Sequence, residues 1–105
     1  MIKVSIHYPN SPGCQFNHDY YMTKHMPMAI EKLSPLLKGA SIDVGNNGGL
    51  PNVPAPYVVV CNLLFDRLED FYTAFMPHMA LMQSDMANYT NVIPAVQISD
   101  VTSFL

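Results

Sequence analysis

The chain has 105 residues, half of them apolar and only 12% charged, where an ordinary soluble domain carries about 25% charged residues. Five Lys+Arg and a net charge of −3 leave no basic stripe for nucleic acid, and two widely spaced cysteines, Cys14 and Cys61, argue against a disulfide scaffold or a structural zinc. The opening MIKVSIHYP is too short and polar for a signal peptide, and no apolar run reaches membrane-span length, so a reducing cytoplasm and no membrane partner are expected.

Residues 2–8, IKVSIHY, alternate, with Val4, Ile6 and Tyr8 on one face and Lys3, Ser5 and His7 on the other, which predicts a strand. PNSPGC breaks it. A helix is expected from about Asn17, whose side-chain oxygen suits an N-cap, with an apolar stripe through Met22, Met26, Ala29, Ile30 and Leu33. Pro27 must kink that helix or open a second one. Residues 37–45 read as a strand with a bulge at Gly39. GNNGGLPNVPAP, residues 45–56, is a long Gly/Asn/Pro loop, and loops of that length are more often lids or binding loops than plain connectors.

YVVVCNLLF, residues 57–65, is apolar almost throughout, as a strand is when both its faces are buried. Asp66 and Glu69 suggest a capping box for a helix with a stripe through Leu68, Phe71, Tyr72, Phe75, Met79, Met82 and Met86, bent near Pro77. Residues 92–101 give the last strand. The order βαββαβ predicts one α+β domain over 1–105, ferredoxin-like, with a four-stranded antiparallel sheet and two helices on one face. Two helices leave the other face of the doubly apolar third strand bare. A homodimer, two sheets closing into a dimeric α/β barrel, covers it and accounts for the low charge.

FNHDYYMTKHMP, residues 16–27, resembles the Phe-Asp…Tyr-Tyr…His-x-Pro signature of the EthD family, linked to ethyl tert-butyl ether degradation. NYTNVIPAVQISDV, residues 88–101, resembles that family's closing segment. The resemblance implies a dimeric α+β barrel, an oxidoreductase-like label, and kinship with fungal proteins that act on aromatic polyketides without a bound cofactor. Asn17 stands where the family usually has Asp, and Ala87 where it usually has Pro.

The resemblance carries Tyr21 and His25 forward as the catalytic candidates. They lie four apart, on one helical face. An imidazole takes and returns protons near neutrality, and a phenol beside it orients a substrate oxygen or donates to an oxyanion. Asn17, Tyr20, His7 and Gln97 are the substrate-binding candidates. Each also has a plain structural reading. Asn17 is an N-cap; Tyr20, rotated by about 100° from Tyr21, is a rim or dimer contact. His7 faces the dimer interior if Val4, Ile6 and Tyr8 meet the helices, and Gln97 makes a cross-strand hydrogen bond. Cys61, among apolar neighbours, is expected to be an inert thiol, and the eight methionines to be core or the lining of an adaptable apolar cavity.

His18 and His25 are roughly 10 Å apart along a helix, there is no HExxH, and GNNGG opens no helix. No metal and no cofactor are therefore expected. The residues point to His-assisted proton transfer on a small hydrophobic or aromatic carbonyl compound, of dehydratase, isomerase or cyclase type. Two alternatives stay open: a non-catalytic hydrophobic-metabolite binder or accessory to an oxygenase, and a haem-binding dimeric barrel.

Overall fold

A computed structural model describes residues 1–103. Strand β1 (Ile2–Pro9) leads into a helical run of three parts: α1 (His18–Tyr20), a π-helical turn (Tyr21–His25) and α2 (Met26–Leu33). Strands β2 (Leu37–Val44) and β3 (Tyr57–Phe65) follow. A second helical run comprises α3 (Leu68–Phe75), a 3₁₀ turn (Met76–His78), α4 (Met79–Asp85) and a further 3₁₀ turn (Met86–Asn88), and β4 (Ala95–Asp100) closes the order. The sheet order is β2-β3-β1-β4, antiparallel throughout. This is the expected ferredoxin-like βαββαβ arrangement.

The register fixes which side chains share a face. Val4 pairs with Leu63 and Ile98, Ile6 with Cys61 and Val96, and Tyr8 with Val59. With period-2 alternation, these residues line one side of the sheet. Val4, Tyr8, Val59, Cys61, Leu63 and Phe65 bury there in one core with Tyr21, Met26, Ala29, Leu33, Phe71, Ala74 and Met82 from the helices. The bulge at Gly39 is present: Leu37 pairs with Phe65 and Gly39 with Leu64, leaving Lys38 as the extra residue. A Cβ at position 39 would stand 3.1 Å from Leu64 Cδ1, so the missing side chain lets β2 approach β3.

Local expectations change at Met22 and at Asp66. Met22 does not lie on the apolar stripe; it is exposed, while Tyr21 and His25 are buried. The reason is the π turn, in which the Met26 N–H reaches Tyr21 O instead of the carbonyl one residue later. One extra residue per turn puts position 21, not 22, above Met26 on the inner face. There is no capping box at Asp66. Arg67, in extended conformation, is the N-cap, with no side-chain cap bond. Its guanidinium instead bonds Asp70 at 3.1 Å, while Glu69 and Asp70 supply negative charge to the first turn. The 45–56 loop is pinned by hydrogen bonds. Asn47 Nδ2 donates to Leu50 O at 2.8 Å, Gly48 N to Val53 O at 2.6 Å and Asn10 Nδ2 to Ala55 O at 3.0 Å.

On β3, Val59, Cys61, Leu63 and Phe65 are buried beneath the helices, and Val60, Asn62 and Leu64 are half-buried on the other face. Pro77 bends the second run as its lack of an N–H requires, through the 3₁₀ turn. Among the described residues, no helix is long and apolar enough to cross a membrane.

Candidate active site

The π turn and the end of α4 build the site. Widening the turn stacks the Tyr21 and His25 rings, centroids 5.4 Å apart and planes within 13°. A third ring, Tyr89, packs against both, at 4.8 Å from Tyr21 and 4.7 Å from His25. Asp85, the last residue of α4, reaches back across the layer, its Oδ2 lying 2.9 Å from His25 Nδ1. Its other oxygen accepts the Tyr20 hydroxyl at 2.7 Å and Asn88 Nδ2 at 3.0 Å.

A carboxylate only accepts, so Nδ1 carries the proton it shares, and in the neutral ring Nε2 is left as the basic nitrogen. Burial acts to raise the Asp85 carboxyl. The hydrogen bonds from Tyr20, Asn88 and His25, and the attraction of the imidazole, outweigh it and hold Asp85 below the ordinary carboxylate range. Asp85 is thus a charged anchor for His25, and its donors Tyr20, His25 and Asn88 all come from the two helical runs.

The phenols form a second cluster. Tyr8 and Tyr89 share a hydrogen bond of 2.8 Å between their hydroxyls, and the Tyr21 hydroxyl adjoins Tyr8 and Cys61. Burial is the leading cause that pushes all three phenols above their usual range, so at neutral pH they are protonated donors, not bases. Burial likewise pushes the Cys61 thiol up to about 11, which leaves it a weak nucleophile, as expected.

Both clusters open on one cavity of about 520 Å³ between sheet and helices. Its wall comprises Tyr8, Tyr21, Tyr89, His25, Gln83 and Cys61 together with aliphatic, methionine and phenyl groups from both layers; among the described residues, no Lys, Arg, Asp or Glu lines it. Exposed Ile93 and Val96 form part of its lip. Its size falls within the range of small-molecule pockets.

His25 and Tyr21 therefore meet on the cavity wall. Tyr20 lies behind them, holding Asp85. Asn17 caps the run, its Oδ1 accepting Tyr20 N at 3.0 Å, and borders a separate polar depression with Gln15, Asn88 and Asn91. His7 and Gln97 are not brought to the cavity. They belong to the opposite sheet face, His7 edge-on to Tyr57 at 4.9 Å and Gln97 bonded to Ser99 at 3.0 Å. None of residues 45–56 lines the cavity either.

Asp85, Tyr89 and Tyr8 are the site residues that sequence reasoning missed. A signal for Asp85 existed: with Met82 and Met86 it occupies positions i, i+3 and i+4, so a carboxylate interrupts an apolar stripe. Tyr89 is the second residue of the segment that carries the second family match, and Tyr8 shares a strand face with Val4 and Ile6.

Fold and site together define a ferredoxin-like α+β domain with an uncharged internal cavity served by a His–Asp pair. Comparison with known proteins is consistent with that class. No family model and no curated protein sequence matches the chain. Among solved structures, an EthD-like protein from Ralstonia eutropha JMP134 superposes with a TM-score of 0.93 at 36% identity, covering 99% of this chain and 94% of its own. An ethyl tert-butyl ether (EthD) family protein from Bacillus halodurans C-125 shares the fold, with a TM-score of 0.72 at 16% identity over 97% of this chain. The chain belongs to the EthD-like family.

Proposed function

We propose that the chain is a cofactor-independent enzyme of proton transfer, acting in this cavity on a small hydrophobic or aromatic carbonyl compound. The observation that carries the reading is the imidazole on an apolar cavity wall, its Nδ1 held at 2.9 Å by a carboxylate. His25 Nε2 takes a proton from the carbon next to the carbonyl. The electron pair of that C–H bond moves into the carbonyl, whose oxygen becomes an enolate and accepts a hydrogen bond from the phenol cluster. The imidazolium so formed faces Asp85. It then returns the proton to a different carbon, an isomerisation, or to a departing hydroxyl, which leaves as water.

The test is hydrogen–deuterium exchange at the α-carbon of β-tetralone in heavy water, followed by NMR. The wild type accelerates exchange and His25→Ala does not, while both still bind the ketone. Equal exchange by the two proteins overturns the reading.

The mostly apolar, Met-lined cavity also suits a carrier or an accessory to an oxygenase. Ketone binding without accelerated exchange in the wild type selects that alternative. Haem titration checks the remaining one: a Soret shift lost in His25→Ala would assign the imidazole to iron.

The same reading includes a homodimer. The chain exposes 6703 Å², where about 5,900 Å² is ordinary for a monomer of its mass. Its radius of gyration is 14.3 Å, against about 13 Å for a compact domain of this length. It is a slab of 40 × 37 × 20 Å whose outer sheet face carries half-buried Val60 and Leu64. Sedimentation at micromolar concentration tests this, with a monomer mass as the contrary result.

A further inference from the structure

We infer that the cavity selects uncharged ligands and that Tyr8 and Tyr89 are the residues that read their oxygen. The inference rests on the cavity reading above and narrows the substrate class to neutral ketones, amides or phenols, excluding carboxylates of the same shape.

Charge comes first. Among the described residues, the cavity is walled without a single Lys, Arg, Asp or Glu. Two carboxylates stand behind the wall: Asp85, bonded to His25, and Asp43, whose charge acts on Cys61. An anion entering would lose its hydration without meeting an unpaired cation, because any positive charge on the imidazole is already matched by Asp85. Moving a carboxylate into such surroundings is strongly unfavourable. A neutral oxygen suffers no such loss.

Polarity comes second. The polar atoms of the wall are gathered, not scattered. Tyr8, Tyr21 and Tyr89 form a triangle with centroid separations of 5.8, 4.8 and 5.9 Å, backed by Phe16, which packs on all three rings. The remaining wall from Val4, Leu33, Leu63, Phe71, Phe75 and Met82 is apolar. In the Tyr8–Tyr89 pair one hydroxyl donates to the other at 2.8 Å, so the accepting phenol keeps a hydrogen of its own to donate. Both phenols hold their protons well past neutrality because burial disfavours phenolate. The pair is therefore a neutral donor at one end of a greasy hollow, matched to one oxygen on an aromatic body.

The test compares isosteres, using naphthamide and naphthoate as the neutral and anionic probes, at pH 7 by calorimetry. Naphthamide is expected to bind at least tenfold more tightly. Equal or tighter binding of naphthoate overturns the inference, as does failure of naphthamide to bind at its solubility limit. Naphthyl methyl ketone and ethylnaphthalene then probe the phenols. Tyr8→Phe and Tyr89→Phe should each weaken the ketone by about five- to tenfold, the loss of one hydrogen bond, and leave ethylnaphthalene unchanged. An unchanged ketone affinity in both folded variants removes them as the oxygen readers. If either variant fails to fold, the naphthamide–naphthoate ratio in the wild type still decides. Loss of proton exchange in His25→Ala is a separate result, so failure of the charge selectivity and failure of the proton-transfer reading are distinguishable.

Discussion

Asp85 holds His25 across 60 residues of chain, Oδ2 to Nδ1 at 2.9 Å, with the imidazole 9% and the carboxylate 16% exposed. The contact joins the π turn of the first helical run to the end of the second. It both closes the helical layer over the sheet and leaves Nε2 as the ring nitrogen free of the carboxylate.

Asp85→Asn tests that positioning role. An amide either donates to Nδ1 or accepts from it, so it no longer enforces one tautomer, and it lacks the charge that stabilises an imidazolium. The expected outcome is a fall in kcat for ketone exchange of about 10²- to 10⁴-fold, the usual span of general acid–base assistance. KM should change little, because Asp85 does not line the cavity. A merely structural Asp85 would lower both protein yield and affinity without this split.

The same carboxylate predicts an acid-sensitive contribution to folding. Its folded pKa lies below the unfolded one, so the stabilisation is fully present above the unfolded value of about 3.9 and is lost as pH falls through the lower folded value. Asp85→Asn should cost about 1–3 kcal/mol at pH 7, the range for hydrogen bonds to a charged group. Urea midpoints of the two proteins, measured from neutrality downward, should stay apart until about pH 4 and converge below it.

At the alkaline end the phenols act with the opposite sign. Tyr8, Tyr21 and Tyr89 have folded pKa values raised chiefly by burial. The unfolded chain releases those protons above about pH 10 while the folded chain retains them. Stability therefore falls as pH rises past that point. Phenolate absorbance should report fewer than the six tyrosines before unfolding, and the rest should appear together with loss of the circular dichroism signal. Early titration of all six would mean that the cluster is open to water.

Much of this molecule is legible in its sequence, for reasons that differ by residue. Strict alternation in β1 put Tyr8 on one face with Val4 and Ile6, and Gly39 announced its bulge, because both signals are local. Met22 misled because a periodicity of 3.6 assumes an uninterrupted α-helix. The single extra residue of the π turn rotated Tyr21 and His25 inward in its place. Asp66 misled because a capping motif is short and Arg67 offered a competing pair with Asp70. Asp85 was invisible as a partner because its meaning comes from a residue 60 positions away, a distance that no spacing rule spans. His7 drew attention by type and Gln97 by its place in the segment that resembles the family, and neither says which side of a sheet a cavity occupies.

Asn17 separates a cap from a ligand contact. Its Oδ1 accepts the Tyr20 N–H at 3.0 Å, and its own N–H donates to Tyr89 O at 2.7 Å. Asn17→Ala should destabilise the fold by about 1 kcal/mol and leave the affinity for naphthyl methyl ketone unchanged. Asn17→Asp keeps the acceptor and adds charge at a helix start, so it should recover that loss and add a few tenths of a kcal/mol, roughly. A large affinity change in the alanine variant with stability intact would move Asn17 into the binding site.

Ala29 and Ala74 offer a paired test of whether the hollow is real. Both are buried, at 5% and 8% exposure, yet only Ala29 lines the cavity. Ala29→Met extends a side chain into empty space of about 520 Å³. It should leave the melting temperature unchanged or raised, since filling a void restores lost contacts. The same group occupies space a substrate needs, so ketone affinity should fall at least tenfold. Ala74→Met meets packed atoms instead and should cost about 1–3 kcal/mol through overpacking. Equal destabilisation by the two substitutions would mean that the core around His25 is already filled, and that no substrate reaches the imidazole.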